Sequence, residues 1–273
     1  MKKTYFALLA AAAGLLLASP ADGQTQKSKD IDFGYFNHLS LGLNIGLDGF
    51  GAQVAAPLGG HFQVRAGANF LSSGEIKKAK YDIPLDLDGV SDPSKYPDKI
   101  TVTPTLNMNK ANLLFDYFPF KKSSFHVTAG AYYAFKKPII SVDNRETPVD
   151  LYDDGAQIGY DFGEHFATTD ENGIVTLELR TNRLRPYLGI GFGRPVSRHR
   201  VNVTMDLGLM YWGKMGIWSY DVDKKEFQIT GDDLKALDPG NKDLEDAAKV
   251  IDTVTEHFIF WPVLNMHLFV RLF

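Results

Sequence analysis

The chain has 273 residues, a formal net charge of -4 and no cysteine. This balanced charge is not that of a nucleic-acid-binding protein, and the absence of cysteine excludes disulfides, thiolate metal sites and lipid-modified cysteines. With 44% hydrophobic and 23% charged residues, the composition indicates a folded protein rather than a disordered one.

The N-terminal segment has the pattern of a secretory signal peptide. Lys2 and Lys3 precede an uncharged run, Thr4 to Pro20, that is rich in alanine and leucine. This run is too short for a membrane-spanning helix, and small residues follow it at the expected cleavage site. We therefore expect residues 1–23 to be a signal peptide and residues 24–37 to be a periplasmic N-terminal segment.

The mature chain begins with three runs of alternating residues. In the first run, between residues 39 and 47, every second residue is Leu or Ile and the residues between are small or polar. A period of two predicts a β-strand. After an Asp-Gly turn signal the pattern resumes over residues 50–56, which predicts a hairpin. It appears again over residues 62–70, where the polar face includes Arg65.

Five further runs bring the number of predicted strands to eight. They cover residues 105–118, 125–135, 186–193, 201–212 and 263–273. One face of these strands is uniformly apolar, and the other carries Gly, Asn, Thr, Gln and charged residues, which would make a poor core for a soluble sandwich.

The connections between the predicted strands alternate in length. Those after strands two, four and six are short, whereas those after strands three, five and seven cover residues 72–104, 136–183 and 213–260. Tight periplasmic turns and long extracellular loops are typical of outer-membrane barrels. The sequence therefore predicts that residues 38–273 form an all-β fold, an eight-stranded antiparallel up-and-down transmembrane β-barrel with long extracellular loops.

On this architecture the sequence resembles the small eight-stranded outer-membrane barrels of Gram-negative bacteria, the OmpA and OmpX type and more loosely the OmpW type. The C-terminal Phe273 is similar to the signal read by the barrel-assembly machinery, although it shares strand parity with Arg271 rather than with the apolar face. The resemblance implies export to the cell outer membrane. We expect a monomer in contact with outer-membrane lipid and lipopolysaccharide, with no cofactor and no nucleic acid partner.

Seven polar residues are predicted to face the lumen and to form a polar network there. Charges enclosed in a narrow barrel must find partners or water. An eight-stranded barrel has an interior just wide enough for side chains, so we expect a plugged lumen. A conducting OmpW-like path for a small molecule is the alternative. The network residues are Arg65, Lys110, Asp116, His126, Asp206, His267 and Arg271.

Five aromatic residues near the long-loop ends of the strands predict an interfacial belt, because Trp, Tyr and Phe concentrate where a barrel crosses the membrane surface. They are Tyr133, Phe135, Tyr211, Trp212 and Trp261.

The second and third long loops are acidic, with 10 acids against 5 bases and 11 against 6. Residues 173–180 alternate like a strand, and residues 243–258 place apolar side chains at helical spacing, which predicts one short helix. Loops that hold this much of a barrel are expected to carry its function. We therefore predict a role in envelope structure or surface recognition, with an unidentified extracellular ligand.

Catalysis is the third hypothesis, because some barrels of this size modify lipopolysaccharide with a Ser, His and acid set at the outer rim. Only His165 and His257 of the seven histidines fall in the predicted extracellular loops. We therefore predict no enzymatic activity and no catalytic or metal site. A lipid-modifying enzyme is therefore the least favoured of the three hypotheses, after a surface-recognition or structural protein and a small-molecule channel.

Overall fold

A computed structural model describes residues 33–75, 80–84, 94, 96–120, 123–148, 159–162, 165–168, 170, 172–220, 225–237, 240 and 242–273. The predicted signal peptide and residues 24–32 of the predicted periplasmic segment lie outside this set. The rest of that segment lies against the barrel, where Phe36 N donates to Pro57 O over 2.9 Å and Tyr35 bridges to Leu58.

The described residues form seventeen strands and two helices. The strands are β1 (Ser40–Gly46), β2 (Gly49–Pro57), β3 (Phe62–Phe70), β4 (Ser72–Glu75), β5 (Tyr81–Pro84), β6 (Lys99–Asn107), β7 (Lys110–Tyr117), β8 (Phe125–Ala134), β9 (Pro138–Asp143), β10 (Gly159–Phe162), β11 (His165–Thr168), β12 (Thr176–Arg180), β13 (Leu184–Phe192), β14 (Val201–Tyr211), β15 (Gly216–Tyr220), β16 (Glu226–Ile229) and β17 (Phe260–Arg271). The helices are α1 (Gly231–Leu237) and α2 (Lys242–His257).

Eight strands close an antiparallel barrel in the order β1, β17, β14, β13, β8, β7, β3 and β2. The closing pair joins the first and last strands, with Leu43 opposite Leu268. On β14 the alternation predicted from the sequence is clear, because Leu207 is 52% exposed while its neighbour Asp206 is 3% exposed. The predicted fold class is confirmed.

The outside of the barrel is apolar, with large hydrophobic side chains exposed on all eight strands. A closed barrel leaves no strand edge with unpaired backbone groups, so it can lie in a lipid bilayer. An even-stranded antiparallel barrel with an apolar exterior is the architecture of bacterial outer-membrane proteins, and the predicted location follows from it. None of the described helices is long and apolar enough to span a membrane.

The fourth predicted strand is two strands in the structure. Residues 105–118 were expected to be continuous, but β6 ends at Asn107 and the barrel strand β7 starts at Lys110. The break is held by Leu71, whose carbonyl accepts from Met108 N at 2.7 Å and whose N–H donates to Asn109 Oδ1 at 3.0 Å. These bonds turn the chain out of the barrel wall.

The long connections fold together beyond the barrel. Their strands form a second antiparallel sheet in the order β16, β15, β12, β9, β6 and β4, with β5 also paired to β6. An apolar cluster packs on it, in which Phe227 and Ile229 are buried against Leu177 and Ile217. The predicted helix is confirmed as α2, whereas α1 and most of this loop sheet were not predicted.

Candidate functional site

The centre of the lumen holds an ion-pair cluster around Arg65. This side chain on β3 is fully buried, and its guanidinium contacts carboxylates from two other strands. Arg65 Nη2 donates to Asp116 Oδ1 at 2.7 Å, and Nη1 donates to Asp206 Oδ2 at 2.5 Å. The strand period of two places all three side chains inside the barrel. There the single positive charge of the guanidinium pairs with two carboxylates, which would be costly to bury without a partner.

Two histidines complete the surroundings of Asp206. His126 Nε2 lies 2.9 Å from Asp206 Oδ1, and His267 Nε2 lies 2.8 Å from Asp206 Oδ2. Gly191 on the adjacent strand makes the room, since a Cβ atom there would lie 2.4 Å from both Asp206 Oδ1 and His126 Nε2. Together with Arg65 and Asp116, these residues bring five of the seven predicted network members into one cluster.

Lys110 lies in a separate layer nearer the long-loop end. Its Nζ is 3.4 Å from Asp48 Oδ2, and Asn69 Nδ2 donates to the same oxygen at 3.0 Å. Asn112 Nδ2 in turn donates to Asn69 Oδ1 at 3.0 Å. Asp48 was not predicted to face the lumen, because the Asp-Gly pair was interpreted only as a turn signal. Asn69 and Asn112 were also left out of the predicted network, although their strand positions place both side chains inside the barrel.

Arg271 is not part of the central cluster. It lies at the short-turn end, where Nη1 donates to Ser197 O at 2.7 Å. The turn that carries Ser197 folds into this end of the barrel, because the Gln63 side chain bonds both N and O of Val196 at 2.8 Å. Val196 packs there with Phe269 in an apolar cluster.

A cluster of buried aromatic and sulfur-containing side chains lies at the long-loop end of the barrel. Trp212 is 2% exposed, its ring centroid is 4.8 Å from that of Trp261, and its Nε1 donates to Phe258 O at 2.9 Å. Tyr132 and Met210 are buried in the same cluster.

This position corrects the predicted aromatic belt. Trp212 continues the inward parity of Met210, and Met210 pairs with Trp261 across the strands, so neither tryptophan belongs to a lipid-facing belt. Tyr133, Phe135 and Tyr211 do lie on the outer surface.

A second polar cluster lies in the loop sheet and is centred on Arg180. Its Nε donates to Glu178 Oε2 at 2.6 Å, its Nη1 to Glu226 Oε2 at 2.7 Å and its Nη2 to the Tyr220 hydroxyl at 2.8 Å. The guanidinium also lies over the Trp218 ring, 5.3 Å from the centroid. The hydrogen bond from Arg180 holds the pKa of Glu226 below its usual value. This cluster joins β12, β15 and β16.

We expect Glu226 to titrate below the ordinary glutamate pKa of 4.5. A carboxyl group with a depressed pKa stabilises the fold above that ordinary value, and its contribution is lost as the pH falls through the depressed one. Carboxyl ¹³C NMR, with the signal assigned through Glu226→Gln, measures the titration. In the matched variant Arg180→Gln the pKa should return toward the ordinary value; a titration at or above 4.5 in the parent protein would contradict the assignment.

No protein family model and no curated protein matches the chain. Among solved structures, CarO2 of Acinetobacter baumannii is 16% identical with a TM-score of 0.46, over 87% of this chain and 99% of that one. CarO from the same organism is 15% identical with a TM-score of 0.44, over 88% and 97%. A major outer membrane protein from Thermus thermophilus is 17% identical with a TM-score of 0.36, over 86% and 99%.

Proposed function

We propose that the protein is a non-enzymatic outer-membrane barrel with a closed lumen, and that its folded acidic loops serve surface recognition or envelope structure. The main support for a closed lumen is that Arg65 lies buried between Asp116 and Asp206 and forms an ion pair with each. A guanidinium bound by two carboxylates from different strands ties opposite walls of the barrel together across the space that a solute would need.

Two further layers support a closed lumen. Val196 and Phe269 pack together at the short-turn end, and Trp212 and Met210 belong to the buried cluster at the long-loop end. We infer that these side chains close the two openings. Both layers are built mainly from apolar and aromatic side chains, and the long-loop layer also contains the hydroxyls of Tyr132 and Tyr187. An eight-stranded barrel has room for side chains but little beyond them.

The loop sheet supports a display role. Its strands come from all three long connections, and the buried Phe227 and Ile229 give it an apolar cluster separate from the lumen. A loop region that folds presents a fixed surface, and fixed surfaces on rigid scaffolds are where binding residues concentrate. The excess of acids in the second and third loops adds a negative field to that surface.

Conductance across planar lipid bilayers tests the closed lumen. Because the three proposed layers would block the path, we expect the purified protein to give no large, stable single-channel currents. A conducting outer-membrane porin inserted under the same conditions serves as the positive control, and heat-dependent migration on gels shows that the barrel is folded. Large, stable currents from the folded parent protein would overturn the closed lumen.

A small-molecule channel is the second candidate, and one observation favours it. Among the described residues, neither amide atom of Gln53 or Asn44 has a hydrogen-bond partner, and Asn265 Oδ1 is also unpaired. All three side chains are buried on neighbouring strands of the barrel. Buried amides without protein partners are usually satisfied by water, and a file of water along these strands would be a conducting path. The same conductance measurement distinguishes the two candidates.

A further inference from the structure

A basic cleft lies where the loop sheet meets the long-loop end of the barrel. It has a volume of about 590 Å³, which is within the usual range for small-molecule sites. Five cationic side chains line it, whereas the carboxylates among its described lining residues are Glu178 and Glu226. The cations are Lys136, Lys137, Arg145, Arg180 and Arg183.

The two carboxylates offset only part of this positive charge, because there are five cations against two carboxylates, and both carboxylates bind Arg180. Arg145 pairs with Asp143, which lies outside the lining. Among the described residues, Lys136, Lys137 and Arg183 form no ion pair with a carboxylate, although Lys137 is close enough to Glu226 to help lower the pKa of that group. Three exposed cations therefore converge on one cleft of a protein whose loops are otherwise acidic.

The remaining lining suits a polar, hydroxylated ligand. Thr105 and Ser141 contribute hydroxyl groups and Asn107 contributes an amide, while Pro138 and Ile139 add a small apolar wall. Lysine ammonium groups and the planar fork of arginine recognise phosphate and carboxylate oxygens with charge-assisted hydrogen bonds. The Thr105 and Ser141 hydroxyls donate within the protein, to Ser141 O and to Glu178 Oε1, so each hydroxyl oxygen keeps a lone pair that can accept from a ligand hydroxyl. The combination favours an anionic sugar over an inorganic anion, because an inorganic anion without O–H groups has no donor for these oxygens.

The cleft lies just beyond the apolar belt of the barrel. Lys136 and Lys137 directly follow the exposed Phe135, and Arg183 directly precedes the exposed Leu184 at the start of β13. The two segments are held together, because Ala134 N donates to Arg183 O at 2.8 Å. The cleft therefore lies at the level of the lipid headgroups of the outer leaflet. A ligand could reach it from the membrane surface or from solution.

We propose that this cleft binds the phosphate or carboxylate of a sugar, through Lys136, Lys137 and Arg183, either free or as a lipid headgroup. This inference rests on the proposed display role of the loop sheet and is independent of whether the lumen is closed. A current-carrying barrel would refute the closed lumen and leave the cleft in place, whereas loss of anion binding would refute the cleft and leave the conductance result unchanged.

Isothermal titration of the full-length folded protein in detergent tests the cleft, with glucose 6-phosphate as the probe and glucose as its uncharged counterpart. We expect saturable binding of glucose 6-phosphate that weakens with added salt, and no binding of glucose. Lys136→Gln combined with Lys137→Gln should weaken binding at least tenfold. Lys235→Gln combined with Lys249→Gln removes two exposed loop lysines outside the cleft lining and should leave affinity unchanged.

A parallel titration with purified lipopolysaccharide and its deacylated form identifies the source of the anion. Binding of intact lipopolysaccharide without binding of glucose 6-phosphate, lost in the Lys136 and Lys137 double variant, supports the cleft with a lipid headgroup as its ligand. Should that double variant unfold, Arg183→Gln serves in its place. Absence of saturable binding to every anionic probe, or equal binding by the parent and by folded cleft variants, overturns the proposal.

Discussion

Replacing Arg65 with methionine is expected to destabilise the inserted barrel by about 3–5 kcal/mol, the usual cost of removing one partner from a buried ion pair. The substitution leaves Asp116 and Asp206 enclosed without the guanidinium that both bind. Asp206 keeps His126 and His267 as neighbours, but the only hydrogen-bond partner left to Asp116 among the described side chains is Thr128. Equilibrium unfolding in urea, with the protein inserted in lipid vesicles, measures the loss.

A double-mutant cycle assigns the partner of Asp206. Asp206→Asn and Arg65→Met should be coupled by about 0.5–3 kcal/mol, because the two side chains are in contact. Arg271→Met is the matched control, since that arginine binds the Ser197 carbonyl at the short-turn end and should be additive with Asp206→Asn. An Arg65→Met barrel as stable as the parent, or coupling to Arg271 in place of Arg65, would refute the central cluster.

The barrel wall could be predicted from the sequence because the membrane imposes one rule on every strand. Side chains such as Leu43 and Leu207 meet lipid, so only apolar residues are tolerated at every second position, and parity then places Arg65, Asp116 and Asp206 inside. Applied strictly, the same parity would also have placed Trp212 inside. The belt prediction relied on where the residue lies along the strand and ignored the face to which it belongs.

The alternation of residues along a strand shows which side chains face the lumen but not which of them contact each other. The central cluster depends on those contacts. Arg65 and Asp206 are 141 positions apart and meet across the lumen, so their contact depends on strand tilt and barrel closure. Inward parity is shared by Arg65 and Arg271 and does not show which of them pairs with Asp206, because the two arginines differ only in their height in the barrel. The Arg180 cluster was missed for a related reason, because its strands are four or five residues long and show little alternation.

Replacing Leu207 with arginine is expected to destabilise the barrel by about 2–4 kcal/mol, the cost of a cation on the lipid face at the bilayer midplane. Leu207 lies in the middle of β14, is half exposed on the outer surface, and is flanked there by Ile190 and Leu264. A guanidinium at this depth is far from both headgroup regions and finds no carboxylate on the apolar surface. Unfolding in vesicles again gives the change in free energy.

Val201→Arg is the control that separates the effect of depth in the membrane from the effect of introducing an arginine. Val201 is on the same strand and the same outer face but begins β14 at the short-turn end, where an arginine can reach the interface and should cost about 0–1 kcal/mol. Leu207→Ala should also be mild, because it removes apolar contact with lipid without adding charge. Equal losses for the two arginine variants, or insertion of Leu207→Arg with parental resistance to urea, would show that β14 does not cross the membrane in this register.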